Sequence, residues 1–275
     1  MADLAMGHAR EGSTMSYLDR FALDGKVALV SGGGGAIGSA IAGALAGAGA
    51  KVAVADVTEE RAEAAAGPIR EAGGEVLALG ADATSEADCE RIVAATVERF
   101  GKLDIIVNCV GGGAGKVLFD AEQYPRDAWD WIMELNVRTT LLATQAAVRE
   151  MVRAGNGGVV VNISSVRAAL GINAGYSAYV AAKGAISSLT RQWATEWAKH
   201  GIRVNAIAPT FVDTPQVAML LGDPAFLASV QARIPLARVG GTDDITGPVV
   251  FLASDAARFV TGQILGVDGG LTATQ

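Results

Sequence analysis

Cysteine and histidine are nearly absent from this chain. Cys89, Cys109, His8 and His200 are the only ones in 275 residues. That is too few for a disulfide framework or a cysteine-rich zinc site, and the histidines stand far apart, so no metal is expected. Both cysteines read as small buried hydrophobes. Aromatics are scarce at 5%, which argues against an aromatic-rich β-sandwich. Basic residues are in deficit, 22 against 29 acids, for a net charge of −7. A general nucleic-acid or anionic-membrane surface is therefore not expected. No apolar run has the length of a membrane span. Residues Met1–Ser16 lack the basic head and apolar stretch of a secretory signal. A cytoplasmic protein is the default expectation.

What the chain does have is small and apolar residues: 51% are hydrophobic and 35 are glycine. Strand-like runs alternate with helix-like segments from Lys26 onward. Strands are expected at Lys26–Ser31, Lys51–Asp56, Glu75–Leu79, Asp104–Asn108, Gly158–Ile163, Ile202–Ile207 and Gln263–Val267. Helices are expected at Ile37–Ala48, Glu59–Ala72, Glu86–Phe100, Arg126–Arg153, Ser177–Lys199 and Ile245–Ala253. Continuous apolar strands between helices predict an α/β fold with a parallel sheet covered on both faces. Residues 1–20 are expected to be a disordered extension, with Met15 as an alternative start, and residues 21–275 a single domain. A proline-rich insertion at about 210–239 interrupts the rhythm and is expected to be a substrate lid.

The segment Ser31-Gly-Gly-Gly-Gly-Ala-Ile-Gly38 joins the first strand to the first helix. Glycines there permit close approach of a pyrophosphate, and a helix N-terminus offers free amides. The string fits G-x-G-x-x-G at Gly33, Gly35 and Gly38, and also T-G-x-x-x-G-x-G from Ser31 with Ala36 at the middle glycine. The candidate contacts are Gly32, Gly35, Ala36, Ile37 and Gly38. Asp56 ends the second strand, where an acid can accept bonds from the adenosine ribose of NAD and repel the 2′-phosphate of NADP. No arginine immediately follows Asp56 or the glycine turn to offset that repulsion, so NAD is the expected cofactor.

Tyr179 and Lys183 are four residues apart on an expected helix, so phenol and ammonium share one face. An ammonium beside a phenol favours the phenolate and lowers its pKa from about 10. Such a tyrosine can exchange a proton with an alcohol or ketone. A serine pair, Ser164-Ser165, lies just upstream. Tyr176 does not qualify for the pairing, because position 180 is valine.

These motifs together resemble the short-chain dehydrogenase/reductase family, from about Leu23 to Thr272. The resemblance rests on the glycine turn, Asp82-Ala83-Thr84, Asn108-Cys-Val-Gly111, Asn136, Ser165, Tyr179/Lys183, the run from Asn205 to Pro209, and Val267-Asp-Gly-Gly270. It implies a Rossmann-type, doubly wound, seven-stranded sheet and an NAD(H)-dependent oxidoreductase interconverting a secondary alcohol and a ketone without a metal. By that resemblance Tyr179 is the general acid–base, and Lys183 tunes it and holds the nicotinamide ribose. Ser165, preferred over Ser164 as the second of the pair, orients the substrate oxygen. Asn136 holds a water for proton relay. Asp82 and Ala83 would contact adenine, Asn108 and Gly111 would flank the cofactor, and Pro209 and Thr214 would border its nicotinamide end. The family also suggests a homotetramer. Three departures stand out. Cys109 replaces a usual asparagine, Thr210 a usual glycine, and the Ser165–Tyr179 gap is 14 rather than the common 13.

Substrate contacts are expected from Ser165, Arg167, Thr210 and Phe211. Arg167 could reach a substrate carboxylate or hydroxyl, or be a solvated loop charge. The stretch from Pro235 to Pro248 resembles gluconate 5-dehydrogenase-like members, which favours a polyol, sugar or sugar acid. It also resembles 3-oxoacyl carrier-protein reductases, which leaves a thioester reductase open. A non-catalytic dinucleotide sensor and an S-adenosylmethionine methyltransferase share the glycine turn, but neither needs both Tyr179 and Lys183.

Overall fold

Seven strands form one parallel sheet in the computed structural model, which describes residues 16–215 and 217–274 and gives only the backbone at 114, 219 and 220. The strands are β1 (Val27–Ser31), β2 (Lys51–Asp56), β3 (Val76–Gly80), β4 (Ile105–Asn108), β5 (Gly158–Ile163), β6 (Ile202–Pro209) and β7 (Ile264–Val267). They lie in the order β3-β2-β1-β4-β5-β6-β7. Each expected strand is present within two residues of its expected bounds. The exact register pairs Ser31 with Ala55 on one side and Asn108 on the other.

Alternation within each strand divides the interior into two cores. Ala28 and Val30 point to one face, packed by Ile41 and Leu45 of α1 (Ala36–Gly47), Ala62 and Ile69 of α2 (Glu59–Glu71), and Val249 and Leu252 of the helix at Thr242–Ala253. Leu29 and Ile106 point to the other, packed by Ile92 of α3 (Glu86–Phe100), Ala147 and Met151 of the helix at Thr139–Ala154, and Trp193 of the helix at Ser177–Trp197. A strand apolar on both faces is what a doubly covered parallel sheet requires. Each fully buried Val, Leu or Ile contributes about 1.5–3 kcal/mol by leaving water.

The expected helix Arg126–Arg153 is two helices, α4 (Arg126–Met133) and α5 (Thr139–Ala154), joined by a π turn over Glu134–Arg138. Next come α6 (Ser177–Trp197), α7 (Ala218–Leu221), α8 (Pro224–Gln231) and α9 (Thr242–Ala253). The insertion expected as a lid thus carries two short helices. Asp223 caps the second by accepting from the amides of Ala225 and Phe226, and Pro224 opens it. Ordered structure reaches back to a 3₁₀ turn at Tyr17–Phe21, earlier than the expected boundary at 20, because Phe21 packs against Phe251 of α9 with ring centroids 6.3 Å apart. Residues 1–15, including Met15, lie outside the described residues. No described helix is long and apolar enough to cross a membrane.

The chain order reverses direction across the sheet between β1 and β4. In such sheets the crevice at the strand C-termini, beside that reversal, is where ligands bind.

Candidate active site

A cleft of about 1100 Å³ opens there, along the C-terminal ends of β1, β2, β4, β5 and β6. At its β1 end, Gly32 has φ 77° and a Cβ there would lie 2.6 Å from the Val110 amide nitrogen. A Cβ on Gly38 would collide with the Gly32 carbonyl, and one on Gly33 would lie 2.7 Å from Val54 Cγ1. The Gly32 conformation is what the register beginning at Ser31 requires, the Gly33 approach falls where only the other register reserves a glycine, and Gly38 belongs to both; Ala36 opens α1. The amides of Ala36, Ile37 and Gly38 stand at the helix N-terminus, where no preceding turn can accept them. A concave backbone edge with such donors fits a pyrophosphate.

Asp56 is 8% exposed at the end of β2. Its Oδ2 accepts the Gly34 amide at 2.9 Å. Its Oδ1 accepts the Val57 amide at 3.0 Å and lies 2.7 Å from Arg61 Nε. Sequence reasoning missed Arg61. It stands five residues on, past the loop and Thr58 cap that start α2, and lines the same cleft. Asp82 and Ala83 also line this end, and Asp82 is tied to the Thr84 amide and hydroxyl at 2.8 and 2.7 Å.

The other end of the cleft holds Ser165, Tyr179 and Lys183. The serine pair divides its work. Ser164 Oγ contacts Ser187 Oγ at 2.8 Å and donates to the Lys183 carbonyl at 3.2 Å, which pins β5 to α6. Ser165 caps a 3₁₀ turn at Val166–Ala168 and accepts the Arg167 amide at 3.1 Å. Tyr179 projects from the first turn of α6, with the Tyr176 ring edge-on at 6.3 Å. Burial raises the Tyr179 pKa, and the Ser165 hydroxyl and Arg167 guanidinium pull it back down. The Lys183 Nζ lies over the Tyr179 ring, 5.6 Å from its centroid, and donates to the Ile163 carbonyl at 3.0 Å. Burial lowers the Lys183 pKa to about 8.

Asn136 and Asn108 sit behind the cleft wall. Asn136 is fully buried in the π turn. Its Oδ1 accepts the Gly112 amide at 2.9 Å, and its Nδ2 donates to the carbonyls of Gly112 and Ile132 at 3.1 and 3.0 Å. It therefore fixes the glycine run after β4, where a Cβ on Gly111 would lie 2.7 Å from Asn136 Oδ1 and 3.2 Å from Lys183 Nζ. Asn108 Nδ2 donates at 2.8 Å to both Thr144 Oγ1 and Asn162 Oδ1, which ties β4 to β5 and α5. Cys109, next in chain, has its thiol pushed up to about 12 by burial, so it behaves as an apolar wall. Pro209, Thr210, Phe211 and Thr214 close the cleft from the lid side. Thr210 Oγ1 is buried with no hydrogen-bond partner. Arg167, expected either as a substrate contact or a solvated charge, is 9% exposed and lines the cleft.

A profile described as enoyl-(acyl carrier protein) reductase matches residues 34–272. The chain is 41% identical to 2-(S)-hydroxypropyl-CoM dehydrogenase 3 of Xanthobacter autotrophicus, covering 91% of this chain and 98% of that protein. It is 39% identical to cis-4-hydroxycyclohexanecarboxylate dehydrogenase of Sinomonas cyclohexanicum, covering 90% and 97%. The chain belongs to the short-chain dehydrogenase/reductase family. Among solved structures, the gluconate 5-dehydrogenase of Burkholderia cenocepacia in complex with NADP and tartrate superposes with a TM-score of 0.86 at 35% identity, covering 94% of this chain and all of that one. As a family member, this short-chain dehydrogenase/reductase is an oxidoreductase acting on a CH–OH group and a binder of a nicotinamide dinucleotide. The doubly wound seven-stranded sheet is the family fold.

Proposed function

We propose that this protein is an NAD-preferring dehydrogenase that interconverts a secondary alcohol and a ketone on a polyol, sugar or sugar acid. The observation that carries this is the meeting of Ser165, Tyr179 and Lys183 with the glycine turn and Asp56 in one cleft. The cradle of Gly32, Gly33 and Gly38 and the free amides of α1 fit a dinucleotide pyrophosphate, and Asp56 fits the adenosine ribose. Hydride chemistry is what a bound nicotinamide supplies.

The protein's own groups handle the proton and the orientation. Tyr179 Oη accepts the alcohol proton in oxidation and returns it in reduction. Ser165 Oγ orients the substrate oxygen and stabilises its developing charge. Lys183 holds the nicotinamide ribose from beneath the Tyr179 ring. Asn136 keeps the Gly111–Gly112 backbone at the distance that the cofactor requires, with one remaining lone pair on Oδ1 for a relay water. Phe211, Thr210 and Thr214 shape the substrate side.

Two relatives are associated with hydroxylated carboxylates, cis-4-hydroxycyclohexanecarboxylate in one case and gluconate and tartrate in another, while a third acts on 2-(S)-hydroxypropyl-CoM. The same Burkholderia structure holds NADP, so the preference for NAD rests on Asp56 alone and is moderated by Arg61. A homotetramer is supported by apolar surface left bare near the β7 edge, where Phe259 is fully exposed and Leu265 is 38% exposed. Both cysteines are unpaired, which suits a reducing cytoplasm. A screen of polyols, sugar acids and acyl thioesters with both cofactors, read by the absorbance of reduced nicotinamide, tests the reading. Turnover of acyl thioesters alone, or tighter use of NADP, would overturn it.

A further inference from the structure

Arg167 carries a charge that no carboxylate among the described residues answers. Its side chain is nine-tenths buried in the cleft wall. Of its five N–H donors, the guanidinium uses Nη1 on the Gly171 carbonyl at 2.9 Å. No carboxylate among the described residues pairs with it. The charged group that bears on it most is a second cation, Arg233, just past the end of α8. A buried cation without a counter-ion is costly, so such a group is normally paired.

The cleft is polarised as a result. Its acidic lining residues, Asp56 and Asp82, both stand at the adenosine end. The catalytic end holds Arg167 and Lys183, with Arg233 nearby and no acid. Arg167 is also placed for a short reach, because its own amide donates to Ser165 Oγ on the same 3₁₀ turn.

We propose that Arg167 is the binding residue for a carboxylate on the substrate, so that the substrate class is the hydroxy acid and its keto acid rather than a neutral polyol or a thioester. This deepens the dehydrogenase reading and rests on it. The carboxylate supplies the counter-charge that the protein omits, and the guanidinium fork can meet it with two parallel bonds. The bare Thr210 hydroxyl in the same cleft is left to pair with a second polar group of the same molecule.

D-gluconate and D-glucitol make a matched pair of probes, differing at one carbon in carboxylate against hydroxymethyl. The test variant is Arg167→Gln, which keeps an N–H for the Gly171 carbonyl and loses the charge. Wild type should use D-gluconate with a higher kcat/KM than D-glucitol. The variant should lose about 10- to 10³-fold on D-gluconate, the worth of one or two charge-assisted bonds. Its loss on D-glucitol should be at least tenfold smaller than on D-gluconate, because there only the guanidinium's pull on Tyr179 is removed, and NADH affinity should stay within threefold of wild type. Equal losses on both alcohols would make Arg167 a structural residue and overturn the proposal. Calorimetric titration of D-gluconate into the protein, with and without NADH, needs no turnover. Binding that weakens at least tenfold in the variant supports the carboxylate site, and binding unchanged by the variant, or absent in wild type, overturns it. Failure of every alcohol to turn over would sink the dehydrogenase reading while leaving this titration to decide the carboxylate site.

Discussion

Replacing Asp56 with asparagine keeps the side chain's shape and removes its charge, and the consequence for cofactor choice can be worked from the structure. In the wild type the carboxylate is 8% exposed, and Arg61 Nε stands 2.7 Å from Oδ1. A 2′-phosphate about 5 Å from that carboxylate meets roughly 3 kcal/mol of repulsion per pair of unit charges at an effective dielectric near 20. Arg61 returns part of this, but its side chain is 55% exposed and screened. A net penalty of about 1–2 kcal/mol against NADP remains, which corresponds to roughly 5- to 30-fold. Asp56→Asn removes the repulsion and frees Arg61 to meet the phosphate directly. The NAD/NADP ratio of kcat/KM should therefore fall to about one or reverse. Arg61→Ala should act the other way, because it leaves the carboxylate unneutralised and sharpens the preference for NAD. Steady-state kinetics with each cofactor, together with NADH and NADPH fluorescence titrations, measure both ratios. An Asp56→Asn ratio within twofold of wild type, or an Arg61→Ala variant that moves toward NADP through this pair, would refute the electrostatic account.

Three further outcomes follow from the site and its support. Tyr179→Phe should cut turnover by about 10²–10⁴-fold while NADH binding stays nearly intact, since it removes a proton carrier and little cofactor contact; single-turnover kinetics beside a cofactor titration check this. Lys183→Met should abolish useful activity yet raise stability at pH 7 by about 1–3 kcal/mol. The sign follows from the native pKa near 8 against an ordinary value near 10.5: the unfolded chain binds the extra proton between these values, so the burial penalty is full below pH 8 and fades as pH rises toward 10.5. Denaturant melts across that range should show the two proteins converging at high pH, and a gap that widens there would contradict the burial argument. Asn162→Ala should cost about 2–4 kcal/mol, because it strips a fully buried partner from Asn108 Nδ2 at 2.8 Å and from Thr190 Oγ1 at 2.9 Å. A urea midpoint shift equivalent to less than half a kilocalorie would show that the polar tie between β4, β5 and α6 is dispensable.

The sheet was legible because each strand is apolar on two faces, a pattern that few other structures demand. Val27–Ser31 and Lys51–Asp56 emerged almost to the residue for that reason. The glycine turn was legible as a turn, but its register was not, since four consecutive glycines satisfy two spacings. The positive φ of Gly32 favours the register from Ser31, the close approach of Gly33 to Val54 favours the other, and Gly38 is common to both. The two helices of the 210–239 insertion were hidden by its prolines, read as loop markers. Pro224 opens α8 and follows Asp223, a proline-after-cap signal that was there to be used. Arg61 was missed for a different reason. Its pairing with Asp56 crosses a strand-to-helix corner, where the distance depends on how the loop folds back and not on a count of residues.

Asn136 shows how far a family motif reaches and where local geometry takes over. Its position in the sequence pointed to a proton relay. A π turn cannot be inferred from helical periodicity, because the apolar spacing on either side of it still reads as one helix. Yet in that turn the amide works in two directions, donating back along the helix to the Ile132 carbonyl and pairing across to the backbone of Gly112. With both N–H groups donated and one lone pair of Oδ1 engaged, the side chain is mainly a strut. The strut holds the glycine run against Lys183 Nζ, at a separation that leaves no room for a Cβ. Gly111 thus runs close to both the Asn136 amide and the Lys183 ammonium. A shift in α4 or α5 that moved Asn136 would therefore move Gly111 and Lys183 together. The end of the cleft that holds Ser165, Tyr179 and Lys183 thus depends on the turn that joins α4 to α5.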